Sequence, residues 1–262
     1  MKVPLFPLFV TIAAAEPLSY ECPFSRMAPE VDGDLSDAAW EKAAWTADFI
    51  DIRGKGHAKP RFRTRAKMLR TAEALFVAAE LSEPHVWGTL REKNAVIYQD
   101  NDFEMFLDPD GDGLNYYEFE INALGTIWEL TLDKPYNKGG TAELGTNLPG
   151  LKSAVKIQGT LGNPSDQDTG WTVEVAIPWK DLARYRGGAV SSPQPGEVWR
   201  INFSRVQWKH AIEDGRYVRI PAHGTKIPWT EHPEDNWVWS PQGEINMHAP
   251  EKWGRLVFAK GQ

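Results

Sequence analysis

The sequence has almost no cysteine, no excess of positive charge and none of the short motifs that identify common enzyme classes. Cys22 is the single cysteine among 262 residues, so the chain can form neither an internal disulfide nor a cysteine zinc cluster. The formal charge of −7 excludes an electrostatic footprint for duplex nucleic acid or an anionic membrane. G-x-S-x-G, H-E-x-x-H, P-loop and dinucleotide-binding motifs are missing, and the six histidines show no metal-binding spacing. These absences favour a binding protein.

Long hydrophobic runs are also scarce, and the one at the N terminus is short. Lys2 precedes an apolar run at 3–12 and an A-x-A sequence at 13–15, an order typical of a secretory signal. A disordered apolar arm is the alternative, and in either case the run is too short to span a bilayer. We therefore expect residues 1–15 to be a signal peptide, 16–262 to form a single domain, and the protein to be periplasmic or extracellular.

Helical periodicity is rare, and alternation of apolar and polar residues with a period of two dominates. Short helices are predicted at 36–44 and 179–185, the first capped by Ser36 or Asp37. The remaining runs are short and separated by Gly, Pro, Asn and Asp, which predicts an all-β fold. We expect a two-sheet antiparallel β-sandwich, jelly-roll or immunoglobulin-like, with long loops and one or two short helices. The predicted strands are 65–69, 74–81, 102–107, 116–122, 127–132, 151–158, 171–177, 198–207 and 254–258.

Two loops are unusually long for a domain of this kind. Residues 134–149 are rich in Gly, Asn and Pro, whereas 222–250 carry three histidines together with Trp229, Trp237 and Trp239. Loops of this length are usually functional or disordered. The three tryptophans favour order in the second loop, which we expect to fold over one face of the sandwich.

Two acidic groups offer oxygen atoms to a hard cation. Residues 108–113 read DPDGDG, but the position of the bidentate Glu of an EF-hand is Phe119, and strands flank the segment. A hairpin turn and a turn with an added cation both stay open. Asp100 and Asp102, together with Glu83, form the second group, for which calcium binding and solvation of strand ends are equally supported.

Tryptophan is abundant, with 12 residues, and this suggests that aromatic faces also serve a surface. Sugar recognition combines aromatic rings with polar groups that bind hydroxyls in directed pairs. For every aromatic residue in a loop or at a strand end, packing in the core is the alternative. The candidate platforms are Tyr98, Trp208, Trp229, Trp237 and Trp239. Patterns typical of the core contain Trp40, Trp45, Trp128, Trp171, Trp179, Trp199 and Trp253.

Four stretches together resemble a known family. In order, residues 31–40 read VDGDLSDAAW, 100–108 DNDFEMFLD, 170–179 GWTVEVAIPW and 250–257 PEKWGRLV. The set resembles the carbohydrate-binding module family 9-like proteins. The resemblance implies a sandwich of two antiparallel sheets, bound calcium, and recognition of polysaccharides or sugar ends. Members occur as modules of xylanases and as exported proteins of polysaccharide-degrading bacteria.

The resemblance also implies roles for individual residues around a sugar held between two aromatic rings. Tyr98 falls where the first ring is expected, just ahead of the D-x-E-x-F strand, and Glu104 matches a sugar-binding carboxylate of that strand. The arginine expected on the next strand is Glu120 here, so that contact is lost. Arg205 is the candidate substitute for this arginine, with pairing to a glutamate as the alternative.

The second ring and the calcium site are less directly matched. The expected position of the second ring falls near Met247, and Trp237 or Trp239 can replace it from the same loop. The calcium implied by the family is expected near Glu83 and the cluster at 100–102.

Three functions follow. The leading hypothesis is an exported, non-catalytic protein that binds plant-type polysaccharide or oligosaccharide, with structural calcium and a glycoside hydrolase as a possible partner. The second is a glycoside hydrolase, or an accessory domain of one, that uses Glu104 with Glu118 or Glu120. The third is a haem-binding electron carrier, because related sandwich domains hold haem b. Its candidate axial ligands are Met105, Met247 and His210.

Overall fold

The alternating runs of the sequence form strands in a computed structural model, which describes residues 16–228 and 230–260. All nine predicted strands are present, and their ends differ from the predicted ones by no more than one residue. The predicted signal peptide lies outside the described residues, as does Trp229. The strands are β1 (Ser19–Cys22), β2 (Ile50–Asp51), β3 (Thr64–Arg70), β4 (Ala74–Ser82), β5 (Asp102–Asp108), β6 (Tyr116–Asn122), β7 (Ile127–Leu132), β8 (Ala142–Leu144), β9 (Lys152–Gln158), β10 (Gly170–Pro178), β11 (Val198–Gln207), β12 (Lys209–Glu213), β13 (Arg216–Ile220), β14 (Asp235–Val238) and β15 (Gly254–Phe258).

The predicted helices are present only as short 3₁₀ segments. Ala38–Lys42 and Ala183–Tyr185 occupy the two predicted positions. Because 3₁₀ hydrogen bonds are poorly aligned, such segments rarely exceed a single turn. No helix within the described ranges is long and apolar enough to cross a bilayer. The other 3₁₀ segments are Ile97–Gln99, Tyr136–Lys138 and Pro250–Lys252.

The strands form two large sheets and one separate hairpin. The larger sheet has nine strands and the order β1-β15-β11-β5-β6-β7-β8, with β14 pairing to both β11 and β2. The smaller sheet has the order β3-β4-β10-β9, and β12 and β13 form the hairpin. The pairings are antiparallel except for β1 with β15. The structure therefore confirms the two-sheet antiparallel sandwich. Asp214 and Gly215 close the hairpin with positive φ angles, a turn signal that the sequence reading missed.

The core lies between the two sheets, and strand alternation decides which side chains enter it. Successive side chains of a strand point to opposite faces. The apolar side chains at alternate positions of β5 and β6 enter the core, so Glu104, Glu118 and Glu120 lie on the opposite face of this sheet. We call this face the outer face of the larger sheet. The inward set is Phe103, Met105, Leu107, Tyr117, Phe119 and Ile121.

The first and third family motifs meet at one buried carboxylate. Trp40 Nε1 donates a 2.7 Å hydrogen bond to Glu174 Oε1, while the backbone N–H groups of Asp32 and Gly33 donate to Glu174 Oε2 at 3.1 and 2.8 Å. Gly33 has φ +85°, and a Cβ atom there would lie 2.7 Å from the backbone nitrogen of Lys156. These motif residues therefore attach the N-terminal segment to the smaller sheet.

Arg205 is a core residue, contrary to the prediction that it binds ligand. It follows Phe203 in the inward set of β11, and its side chain is 0% exposed. Its guanidinium pairs with Glu83 at 2.6 Å and donates further hydrogen bonds to Thr64 Oγ1, Gln207 Oε1 and the backbone of Ser82. Strand alternation and this ion pair remove Arg205 from any surface site.

Trp237 and Trp239 also belong to the core rather than to a binding platform. Trp237 pairs across β14 and β11 with Arg205, whose guanidinium carbon lies 5.2 Å from the indole centroid. Trp239 packs against Tyr20 and Phe203. Both indoles are buried, so the structure contradicts the prediction that either replaces the second sugar-stacking ring.

We predict that Arg205→Met lowers the free energy of unfolding by about 3–5 kcal/mol, because it leaves Glu83 charged, buried and unpaired. The double variant Glu83→Gln/Arg205→Met is expected to recover part of this loss. Urea denaturation monitored by tryptophan fluorescence measures the effect. Arg53→Met is the matched control, since Arg53 pairs with Asp51 at the surface and such pairs contribute about 1 kcal/mol or less. Equal losses in the two single variants would contradict a structural role for the buried pair.

Candidate ligand-binding cleft

A cleft of about 260 Å³ lies on the outer face of the larger sheet. Strands β5, β6 and β7 form its floor, and the segment 232–248 of the second long loop covers it. A larger groove of about 1040 Å³ runs beside β1 and reaches Leu18 and Lys260, close to both ends of the described chain. The smaller cleft is the candidate site because four glutamates line it together with aromatic rings, whereas Glu21 is the single carboxylate among the residues that line the larger groove.

The floor of the cleft is a row of side chains that crosses four neighbouring strands. Glu104 of β5 lies directly opposite Glu120 of β6, and Glu120 lies opposite Trp128 of β7. On the other side of Glu104, the row continues to Ser204 of β11. Side chains directly opposite each other in adjacent strands have Cβ atoms roughly 4.5–5.5 Å apart, so this register brings the two carboxylates together.

Three buried carboxylates form a compact group in this floor. Asp102, Glu104 and Glu120 each offer an oxygen atom, and these atoms lie within 4.8 Å of one another. All three side chains are buried, as is the neighbouring Glu118. The sequence predicts calcium binding for Asp102 and sugar binding for Glu104, whereas the fold places both carboxylates in one group.

The carboxylates have few hydrogen-bond donors. Val206 N–H donates to Asp102 Oδ1 at 3.1 Å, and Tyr98 N–H donates to Glu120 Oε2 at 2.8 Å. Asp102 Oδ2 and Glu118 Oε2 are buried and have no partner among the described atoms. These oxygens are therefore available to a group that is not part of the described chain.

Burial also sets the protonation of this group. It raises the pKa of Glu104 to about 7, and it raises the pKa values of Asp102, Glu118 and Glu120 well above their usual range. No lysine or arginine of residues 16–228 or 230–260 forms an ion pair with these carboxyls. The group can share protons, accept hydrogen bonds from hydroxyls, or hold a cation.

Two pairs of rings line the cleft. Tyr98, which is 43% exposed, lies 6.4 Å from Trp128 with an interplanar angle of 31°. Tyr136, 48% exposed, meets the ring of His248 edge-on at 4.6 Å. Burial lowers the pKa of His248 to about 4, so its ring is neutral at pH 7, and its Nδ1 lies 3.0 Å from the Tyr116 hydroxyl. The cleft therefore combines exposed aromatic faces with an acidic floor.

The covering loop adds polar groups. His232 Nδ1 lies 3.2 Å from Glu234 Oε1, and Asn236 and Asn246 also line the cleft. Met247 lies here as well, at the position where the resemblance implied the second ring. The second long loop thus folds over a face of the sandwich, as expected from its tryptophans.

Some of the residues that the sequence predicts to bind ligand line the cleft, and others do not. Tyr98 and Glu104 both line it, but Trp208 does not: it is buried beneath Arg219, with Nε1 bonded to the backbone oxygen of Tyr98. Trp128 had been assigned to the core and instead lines the cleft. Counting alternation across β5, β6 and β7 would have found it, because it shares a face with Glu104.

The predicted calcium site does not have the free oxygens that calcium needs. The Glu83 carboxylate pairs with Arg205. The Asp100 carboxylate accepts hydrogen bonds from the backbone N–H and the hydroxyl of Thr89, from the backbone N–H of Leu90 and from the side-chain amide of Asn122. Of the three predicted ligands, only Asp102 keeps an unpartnered oxygen, and its carboxyl lies beside those of Glu104 and Glu120 under the cleft.

The acidic turn between β5 and β6 satisfies its own backbone. Asp108 accepts hydrogen bonds from the N–H groups of Gly111 and Gly113, at 3.0 and 2.9 Å. Both glycines have positive φ angles, which fit a tight turn. The geometry favours the hairpin-turn interpretation.

The candidate haem ligands lie in three different environments. Met105 is in the core between the sheets, and Met247 lines the cleft. His210 packs against His85 and Trp87 beside the separate hairpin. The structure therefore offers no pair of axial ligands from this set.

Comparison with known proteins finds relatives that are named as an exoglucanase and a xylanase. The chain is 25% identical over 159 residues to "Exoglucanase XynX" of Acetivibrio thermocellus, covering 61% of this chain and 12% of the relative. It is 23% identical over 209 residues to "Endo-1,4-beta-xylanase A" of Thermoanaerobacterium saccharolyticum, covering 80% of this chain and 14% of the relative. The chain thus corresponds to a small part of each of these enzymes.

Solved structures share the fold. A protein from Bacteroides uniformis, titled as a candidate carbohydrate-binding protein, matches with a TM-score of 0.62 and 18% identity, over 94% of this chain and 100% of the other. A carbohydrate-binding module family 9 from Caldicellulosiruptor kristjanssonii, in complex with cellotriose, matches with a TM-score of 0.55 and 17% identity over 94% of each chain. The same organism's module with glucose gives 0.53 and 18%, over 94% of this chain and 95% of that one.

The match to a sequence family covers most of the chain. Residues 31–260 fit the family described as "Carbohydrate family 9 binding domain-like". This segment includes the smaller sheet, every strand of the larger sheet except β1, and every residue of the cleft. The four motifs, the sandwich and this match agree, and the chain belongs to the family 9 carbohydrate-binding domain-like proteins.

Proposed function

We propose that this is an exported carbohydrate-binding protein that holds plant-type polysaccharide or oligosaccharide in the cleft, in the context of polysaccharide degradation. The observation that carries the proposal is the meeting of exposed rings with buried oxygen acceptors on one face of the larger sheet. Tyr98 and Tyr136 are among the few large exposed aromatic residues of the described chain. Family membership supports the same ligand class.

Recognition in such a cleft needs no chemical step. The C–H face of a sugar ring packs on an aromatic ring such as Tyr98 or Trp128, which excludes water from both surfaces. Sugar hydroxyls donate hydrogen bonds to the Glu104 and Glu120 carboxyl oxygens, and the bond to Glu104 becomes about twice as strong when this group is ionised, above its pKa of about 7. Since the strands fix these groups before the ligand arrives, little conformational entropy is lost on binding.

Export and a role beside hydrolases are further parts of this proposal. The charged and apolar order of residues 1–15 supports secretion. The chain matches short segments of much longer polysaccharide-degrading enzymes. Cellotriose and glucose are the ligands of structural neighbours and are therefore the first ligands to test, together with xylo-oligosaccharides.

One observation favours glycoside hydrolysis as a second candidate. Glu104 and Glu120 lie opposite each other, with carboxyl oxygens no more than 4.8 Å apart, which is nearer to the roughly 5–5.5 Å carboxyl separation of retaining glycosidases than to the roughly 6.5–9.5 Å of inverting ones. The pKa of about 7 for Glu104 also suits a general acid. Release of reducing sugar from xylan or cellulose, abolished in Glu104→Gln, would support this function over binding alone.

Tyr98→Ala is expected to weaken binding of the best oligosaccharide on the order of tenfold, or about 1.4 kcal/mol, with an unchanged melting temperature. The reason is that Tyr98 offers a largely exposed ring to the ligand. Isothermal titration calorimetry and thermal unfolding together measure the effect. Trp239→Ala is the contrasting variant: its indole is in the core, so it should lose about 3–5 kcal/mol of stability. Undiminished affinity in Tyr98→Ala would remove Tyr98 from the site.

Glu104→Gln is expected to weaken sugar binding at least severalfold, because the amide keeps an acceptor oxygen but loses the charge. Intrinsic tryptophan fluorescence during titration with cellotriose and xylotriose measures the affinity. Glu143→Gln is the matched control, since Glu143 pairs with Arg184 on the surface, away from the cleft. If both variants bind as the natural protein does, the acidic floor takes no part in recognition.

A further inference from the structure

The carboxylates of the cleft floor form a concentrated site of negative charge. Asp102, Glu104, Glu118 and Glu120 are all at most 5% exposed, and the described lysines and arginines leave them without an ion pair. Buried carboxylates in proteins are normally paired, coordinated to a metal or protonated. Either a bound cation or bound protons must therefore neutralise the carboxylates of the floor.

The number of carboxylates favours one particular occupant. Calcium takes six to eight oxygen ligands and uses several carboxylates, whereas magnesium is usually bound through one or two carboxylates and keeps several waters. Asp102, Glu104 and Glu120 bring three carboxylates together, with one oxygen of each within 4.8 Å of the others. The group therefore suits calcium better than magnesium.

Unpartnered atoms at the same place supply an independent observation. Asp102 Oδ2 and Glu118 Oε2 are buried and accept no hydrogen bond from the described chain. An acceptor in that state lowers stability unless a ligand outside the chain satisfies it. By contrast, the acidic turn at Asp108 has its oxygens bonded to backbone N–H groups.

We propose that the floor of the cleft binds a hard divalent cation, calcium in preference to magnesium, through Asp102, Glu104 and Glu120, and that hydroxyls of the bound sugar complete its coordination. Only Asp102 is shared with the site expected from the sequence. The three carboxylates supply fewer oxygens than the six to eight that calcium takes, which leaves positions for water or for two neighbouring hydroxyls. The carboxylates support the cation site by themselves, whereas contact between the cation and the sugar rests on the proposed function.

An ammonium group, as in an amino sugar, is the main competing occupant, since aromatic rings and carboxylates both attract cations. The charge of the group favours a divalent ion, because an ammonium group brings a single positive charge to three neighbouring carboxylates.

The test uses the natural protein and terbium, which replaces calcium at oxygen sites and emits when a nearby tryptophan is excited. We expect saturable terbium emission that calcium displaces, with Trp128 in the same row as the ligands. Glu104→Gln and Glu120→Gln should each weaken calcium binding at least tenfold, since loss of even an outer-shell partner costs 10–100-fold. Asp110→Asn and Asp112→Asn, in the exposed turn, are the matched controls. As a measurement independent of variant folding, calcium should raise the melting temperature of the natural protein above that in sodium chloride of equal ionic strength.

The outcomes separate the cation from the sugar. Terbium binding that is absent, or that is lost only in the turn variants, would overturn the proposed site. Equal oligosaccharide affinity in calcium and in EDTA would overturn coordination of the sugar by the ion and leave the proposed carbohydrate binding intact. Calcium binding without any sugar binding would support the ion site and contradict the proposed function. Preferential binding of glucosamine over glucose, unaffected by EDTA, would replace the metal with an ammonium group.

Discussion

Strand alternation on β5 and β6 is the constraint on which the rest of the structure depends. Phe103, Met105 and Leu107 must enter the core between the sheets, because burying such side chains supplies most of the stability of a sandwich. A strand cannot turn these residues inward without turning Asp102 and Glu104 outward. The core therefore fixes where the carboxylates lie, and the register with β6 then brings Glu120 opposite Glu104.

The molecule treats buried charge in two different ways on the two faces of one sheet. On the inner face, Arg205 and Glu83 form a closed pair, whose remaining donors are taken by Thr64, Gln207 and a backbone oxygen. On the outer face, the cleft floor collects carboxylates that lack such partners. A pair of the first kind fixes the position of its strands, whereas unpaired groups in a cleft are typical of functional sites.

Three of the four family motifs have a structural role, whereas the second, at 100–108, also carries Asp102 and Glu104 of the candidate site. Glu174 joins Trp40, Asp32 and Gly33 into one buried junction, which places the N-terminal segment on the smaller sheet. Trp253, from the last motif, is buried against Phe106 beneath the cleft. These three motifs thus build the scaffold. The ligand cleft can differ from its relatives, as at Glu120 and Met247, without disturbing these contacts.

The sequence by itself determined the all-β class and nine of the fifteen described strands, because alternation and turn residues are local signals. Tyr98 and Glu104 followed from the resemblance of one motif to the family. The sequence did not separate the roles of Trp128, Trp237 and Trp239, since each of these residues suits either the core or a surface. Only the tertiary structure decided them: pairing with β11 turned Trp237 inward, and pairing with Glu120 turned Trp128 into the cleft. The same holds for the carboxylate group, whose members are distant in sequence and meet only through the register of adjacent strands.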